Sequence, residues 1–311
     1  MKHHLLLAEC LSTPWALMPD RLQVAAGVLH HWACGKTADH RTLAEIAAYR
    51  QARDTRRETL ALNTLDGIAV LPLYGVLAQR ANMVDDISGP GGTSTQLFAR
   101  ALRQACSDDT VGAIVIDIDS PGGSVFGVAE LADTIRQARS SKPIYAIANS
   151  QAGSAAYWVG CAAGELYVTP SGEVGSIGVW QMHSDYSRML DDDGVRTTLI
   201  AAGKYKIEGN PYQPLEEGAR AFLQTRVDEY YAAFTQAVAG NRGVPIDYVR
   251  HGMGEGRMLG AEAALAEKMV DGILTFDALV TRVQNKIRSG RQNKTNAPRR
   301  AAVERQLRLL G

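Results

Sequence analysis

No stretch of this chain reaches the roughly 18 consecutive apolar residues of a membrane-spanning helix, and no two of its four cysteines form a C-x-x-C pair. The first absence predicts a soluble protein. The second removes the usual zinc and dithiol signatures. Cys10, Cys34, Cys106 and Cys161 fall mostly within apolar segments and read as reduced, buried thiols of a cytosolic setting. An excess of one charge is also missing. With 33 Lys and Arg against 33 Asp and Glu, nothing global favours a specific nucleic acid, an anionic membrane or an acidic substrate. The opening Met1–Cys10, with one lysine, a leucine run and a cysteine, looks superficially like a leader peptide. Its apolar run is too short, and Glu9 stands where lipoprotein processing needs a small residue. An unprocessed chain is the expectation. Gly89-Pro-Gly-Gly92 lacks the Walker lysine and its Ser/Thr partner and reads as a loop, not a phosphate cradle. No internal repeat is visible.

What is present is alternation. Length permits one large α/β domain with appendages, and the pattern divides the chain into a helical preface over 1–64, a main domain over 65–284 and a basic tail over 285–311. In the preface, Trp15 to Trp32 has helical spacing, and a second helix is expected after Thr42. Strands are predicted at Ile68–Tyr74, Ala113–Asp119, Pro143–Ala148, Leu166–Val168 and Ile177–Met182, with another β-like run at Val195–Ala201. Between and after them, helices are predicted at Thr95–Cys106, Val125–Ser140, Asp185–Leu190, Leu215–Ala239, Ala261–Lys268 and Asp277–Val283. Strand and helix in turn are the mark of a parallel α/β domain. From Arg282 onward nine basic residues face Glu304 alone, which predicts disorder from about Ser289 to Pro298. Such a tail is either merely solvated or a docking element for acidic scaffold or capsid surfaces.

The chemistry concentrates between Ala113 and Lys206. Ser154, within Gly153-Ser-Ala-Ala-Tyr157, stands between a predicted strand and an apolar helix and therefore at the helix's amide end. Upstream, Ser120-Pro-Gly-Gly123 follows a strand as a predicted turn, where glycines leave backbone N–H groups unshielded, the pattern of an oxyanion hole. Downstream, Gly203-Lys-Tyr-Lys206 supplies amines that act as a general base when burial lowers their pKa. Each signal alone is weak, because small residues at a helix start usually mean close packing and turns after strands are commonly glycine-rich. Alternation does not separate Lys204 from Lys206, which fall on one side of an extended segment.

As a set, these stretches resemble the signal peptide peptidase family of serine–lysine peptidases, over about Gly67 to Val280. The resemblance implies a Clp protease/crotonase-like spiral of β-β-α units. It also implies Ser154 as nucleophile and Lys206 as base, with Lys204 at the rim. The N–H of Gly123 serves as oxyanion donor, joined by Ala155 and the neighbouring Gly122, and Ser176 of Gly172-Glu-Val-Gly-Ser-Ile-Gly178 orients the lysine. Arg257–Ala263 with Val270-Asp271 resembles the closing element, although Lys268-Met269 departs from the usual small residue. No metal and no cofactor are implied, and the partners are peptide or protein substrates and further copies in a ring-like homo-oligomer. Pro14-Trp-Ala-Leu-Met-Pro19 resembles phage-encoded members, which act as capsid-assembly or prohead proteases on scaffold, portal or capsid proteins, in the host cytoplasm or inside the procapsid. Four rivals stand beside this reading. They are a Ser-His-Asp triad with His183 as base, a crotonase-like acyl-CoA enzyme, a housekeeping cytosolic peptidase, and a catalytically dead structural relative, which the filled dyad positions disfavour.

Overall fold

The computed structural model describes residues 13–18, 63–80 and 92–289. Its centre is strand β6 (Ala113–Ser120). Ile114, Ile116 and Ile118 point to one face and Ala113 and Val115 to the other, all of them buried. Branched apolar residues on both faces suit a strand with parallel neighbours and helices above and below. β6 pairs in parallel with β3 (Ile68–Tyr74) on one side and β8 (Ile144–Gly153) on the other. β2 (Asn63–Leu65) folds back antiparallel on β3. On its far side, β8 meets β9 (Glu165–Val168) along its first half and β10 (Glu173–Gly175) along its last three residues. β11 (Met258–Gly260) and β12 (Gly272–Ile273) complete the sheet against β10 and β9 respectively.

Helices cover both faces. Helices α1 (Thr95–Ser107), α2 (Val128–Ala138) and α3 (Ala155–Gly160) bury Leu102, Leu131, Ile135 and Tyr157 in the cluster that holds Ile114, Ile116 and Ile118. Leu279 and Val283, from a helical stretch over 276–289, cover Ala113, Val115 and Ile147 on the opposite face. Lys286 ties that stretch to Glu165 at 2.7 Å. The shorter helices are α4 (Ser187–Asp192), α6 (Ile246–His251) and α7 (Ala261–Ala266), while the long α5 (Glu217–Arg242) stacks Phe234 on Trp158 of α3, with centroids 4.7 Å apart. At its end Arg242 forks onto the Asp271 carboxylate at 2.9 and 3.0 Å, and that carboxylate also accepts the Leu166 N–H at 2.7 Å. This pair locks the closing element to the sheet.

A second, smaller sheet sits where the strands of the first one end. Between Ile118 and Ser120 the register against β8 shifts, and past Pro121 the chain enters β7 (Gly122–Ser124). There it lies in the order β1 (Trp15–Leu17), β7, β4 (Leu77–Ala78), β5 (Thr93–Ser94). β3 passes likewise into β4 before α1, as β6 passes into β7 before α2. Two successive β-β-α units are thus visible, in a mixed α/β fold with a parallel sheet.

Several expectations are corrected. Trp15–Leu17 is a strand and not the start of a helix, because it finds a partner in β7. The rest of the preface, the loop at 85–91 and the tail beyond 289 lie outside the described residues. Gly122–Ser124 is a strand instead of a turn. Neither Ile177–Met182 nor Val195–Ala201 forms a strand, since in the first only Trp180 bridges another segment and in the second Ile200 is 95% exposed. Val195–Ala201, without a neighbouring edge, has nowhere to place its backbone hydrogen bonds in a ladder, and Ile177–Met182 shares a single bridge with β1. α5 also runs past Gly240 to Arg242, ending where Gly243 turns left-handed.

Candidate active site

β8 extends past its apolar half through Asn149, Ser150 and Gln151 and delivers Ser154 to the corner between strand and helix. That serine is buried and left-handed, with φ 51° and ψ −115°, a conformation that survives in a non-glycine residue only where its surroundings hold it. They do so through backbone. Gly153 pairs with Gly175 of β10, the Ser154 N–H donates to the Gly175 carbonyl at 2.7 Å, and the Ser154 carbonyl accepts the Trp158 N–H at 3.0 Å. The Oγ donates to the Gly178 carbonyl at 3.4 Å. Ala155, the first helical residue, is buried with no intrahelical acceptor for its N–H.

The glycine pair lies against this corner. A Cβ on Gly122, whose φ is +104°, would fall 3.0 Å from Ser154 Cβ and 2.3 Å from the Ala16 carbonyl oxygen. Its N–H donates to Ser120 Oγ at 3.2 Å, so Gly122 contributes close packing at the Ser154 corner and its donor is already engaged. Gly123 is required by close approach, because a Cβ there would fall 2.0 Å from the Leu77 carbonyl oxygen. Its N–H looks across to β1. The Val125 N–H donates to the Pro14 carbonyl at 3.3 Å and the Met18 N–H to the Pro121 carbonyl at 3.1 Å, and alternation in an antiparallel ladder makes Ala16 and Gly123 the hydrogen-bonding pair between them.

Ser176 is brought beside the serine and Lys206 is not. Ser176 directly follows Gly175, is buried, has φ 53° and donates its N–H to the Arg257 carbonyl at 2.8 Å. Lys206 lies exposed in the turns over 203–209, with its N–H on the Gly203 carbonyl at 3.1 Å. Among the described residues its amine hydrogen-bonds to neither serine, and the burial expected of a neutral lysine is absent within one chain. The whole arm over 179–216 is half-buried to exposed, with Val195, Ile200 and Tyr205 open to solvent. Beside it, an open groove of about 1420 Å³ is lined by His183, Lys204, Phe222 and Arg226 among others, but by neither Ser154 nor Lys206.

The triad alternative has no geometry. His183 Nε2 is 3.1 Å from the Asn210 carbonyl, and Asp185 accepts the Ser187 N–H at 2.9 Å. The thiols are no better placed as nucleophiles, since burial pushes the Cys161 pKa up to about 11 and also raises that of Cys106. Among the described residues no group of His, Cys, Asp and Glu is arranged to hold a metal, and no helix is long and apolar enough to cross a membrane. Reading the sequence alone missed the residues that pack against the glycines, namely Trp15 to Leu17, and Trp180 beyond them. The available signal was Pro14 and Pro19, which bracket the run and argue for extended chain over helix.

Comparison with known proteins places the chain among peptidases and phage head proteins by similarity. Residues 136–288 match the model of peptidase family S49. The chain is 39% identical over 196 residues to capsid assembly protease C of Escherichia phage lambda, covering 63% of this chain and 44% of that protein. It is 33% identical over 259 residues to head-tail preconnector protein GP5 of Enterobacteria phage P21, covering 82% of this chain and 51% of that one. A putative signal peptide peptidase SppA of Enterococcus faecium is 26% identical over 179 residues, covering 57% of this chain and 52% of that one. The chain thus spans about half the length of these relatives.

Proposed function

We propose that this chain, which carries a peptidase family S49 domain, is a serine endopeptidase with Ser154 as nucleophile and Lys206 as base. The observation that carries the reading is the buried, left-handed Ser154, held by backbone bonds at a strand-to-helix corner against Gly122 and Gly123. In the reaction the neutral Lys206 amine takes the Ser154 proton as Oγ bonds to a peptide carbonyl carbon. The C–N bond then breaks, the leaving amine receives the proton, and water hydrolyses the acyl-serine. The N–H groups of Gly123 and Ala155 face the developing oxyanion, each contributing roughly 3 kcal/mol to the barrier reduction. Ser176 orients the amine.

Lys206 needs a desolvated surrounding to be neutral, and a single copy leaves it exposed. The reading therefore includes assembly into a ring-like homo-oligomer that covers the 179–216 arm and encloses the dyad. The names of the two phage relatives support substrates among the scaffold or capsid proteins of a phage head. Ser154→Ala is expected to lower cleavage of unfolded casein by at least about 10³-fold while leaving the far-UV circular dichroism unchanged. Cleavage retained by that variant removes Ser154 from the mechanism.

A further inference from the structure

Residues 14–18 lie beside the Ser154 corner as a strand bonded along both edges. On one side β1 pairs antiparallel with β7, Trp15 opposite Ser124, Ala16 opposite Gly123 and Leu17 opposite Gly122. On the other, the Trp15 N–H donates to the Trp180 carbonyl at 2.9 Å, the Trp180 N–H returns to the Trp15 carbonyl at 3.0 Å, and the Trp180 indole N–H reaches the Leu17 carbonyl at 2.9 Å. The backbone bonds of this ladder are ones that any extended peptide makes, whatever its side chains.

The position along the strand matters most. Ala16 faces Gly123, whose N–H is the proposed oxyanion donor. The Ala16 carbonyl oxygen and Ser154 Cβ both approach the point where a Cβ on Gly122 would stand, at 2.3 and 3.0 Å. Met18 Sδ lies 3.1 Å from the corresponding point on Gly153, the residue before the nucleophile. On the peptidase reading, the Ala16–Leu17 peptide bond is therefore the one presented to the Ser154 corner. Ala16 is fully buried there and Leu17 nearly so, which leaves room for a small side chain at the first position and seats a large one at the second.

We propose that Thr13–Met18 is a pseudosubstrate strand that fills the peptide cleft and keeps substrates from Ser154 until it is displaced. The proposal rests on the peptidase reading above. The same strand identifies the preferred substrate as an extended peptide with an alanine-sized residue opposite Gly123. It stays uncut because the Lys206 amine is not at Ser154 within one chain.

Two full-length variants displace the strand by different means. Ala16→Glu places a charge in a fully buried position, and Trp15→Pro removes the N–H that bonds Trp180. Each is made with Ser154 intact for casein cleavage, and with Ser154→Ala for binding a fluorescein-labelled peptide of residues 12–19, followed by anisotropy. Opening the cleft is expected to tighten peptide binding at least about tenfold over the chain with native β1, since an occupied site weakens apparent affinity by its free fraction. Casein cleavage is expected to rise by a similar factor. Natively folded variants that bind no tighter and cleave no faster overturn the proposal. Loss of native circular dichroism in both variants overturns it too, since it makes β1 a structural strand. Tighter peptide binding without cleavage by any form upholds Thr13–Met18 as the occupant of a peptide-binding site but retires the peptidase reading, and with it the pseudosubstrate role.

Discussion

Ser154 and Lys206 stand on two kinds of structure. The serine sits at the end of a ten-residue strand, between parallel neighbours, with its backbone bonded to β10 and to its own helix and its side chain buried. The lysine sits within an arm over 179–216 that forms one short helix and exposes Val195, Ile200 and Tyr205. Preorganising a strained nucleophile requires surroundings that cannot relax, which a sheet supplies. A base that must lose water to work is supplied better by an element whose environment is completed from outside. The contrast explains how the described residues can be packed closely around the proposed nucleophile while the proposed dyad remains open.

The largest expected effect breaks the comparison if it fails. Lys206→Ala is expected to lose about 10³-fold or more in kcat/KM on casein, as Ser154→Ala does, because groups that act as a unit are lost together. Its denaturation midpoint should stay within about 0.5 kcal/mol of the parent, as befits an exposed residue. His183→Ala serves as the control, with a loss of less than about tenfold through packing alone. The reverse ranking transfers the mechanism to a triad.

Next in size is a test of the rigid side. Gly123→Ala drives a methyl into the Leu77 backbone, which is not the end of a flexible side chain, and should cost about 2–3 kcal/mol by urea unfolding. Activity should fall with it, since the N–H of Gly123 cannot hold its place. An alanine tolerated without loss of either would show that β4 and β7 are loosely apposed.

The smallest effect sharpens the electrostatic side of the contrast. Burial chiefly, with a contribution from the Asp119 charge and against the hydrogen bond from the Tyr74 hydroxyl, raises the Asp117 pKa above the ordinary carboxylate range. A folded pKa above the unfolded one means that the folded state holds the proton longer. The stabilisation is full below about pH 4 and is lost as pH rises through the folded pKa. Asp117→Asn should flatten that decline by up to about 1.4 kcal/mol per pH unit, read as urea midpoints between about pH 4 and 7. An unchanged slope assigns the decline to another group.

Much of the rigid half was legible in the chain. The run Ala113–Asp119 reads as a strand from its β-branched residues, and it begins and ends within one residue of that expectation. The serine's place between strand and helix was likewise readable, as was α1 to within a residue. Failures fall where partners decide. Val195–Ala201 has strand-like composition but no sheet edge to receive it, Ile177–Met182 meets the edge of β1 at Trp180 alone, and Trp15–Leu17 opens a run of helical spacing but meets an edge that its own local sequence cannot reveal. The left-handed backbone of Ser154 and Ser176 has no local signature either, because those angles are imposed by the Gly153–Gly175 pairing and by the Arg257 carbonyl.

Residue type and spacing by themselves determined the alternating strands and helices, the order of the candidate site residues and the need for small residues around Ser154, because these follow from local propensity and from where apolar side chains must go. Only the tertiary structure decided that Gly123 faces Ala16, that Ser176 lies beside Ser154 and that Lys206 does not. Those placements depend on which backbone edges meet across more than a hundred residues of chain, as when Trp180 reaches Leu17, and no local interaction energy carries that information.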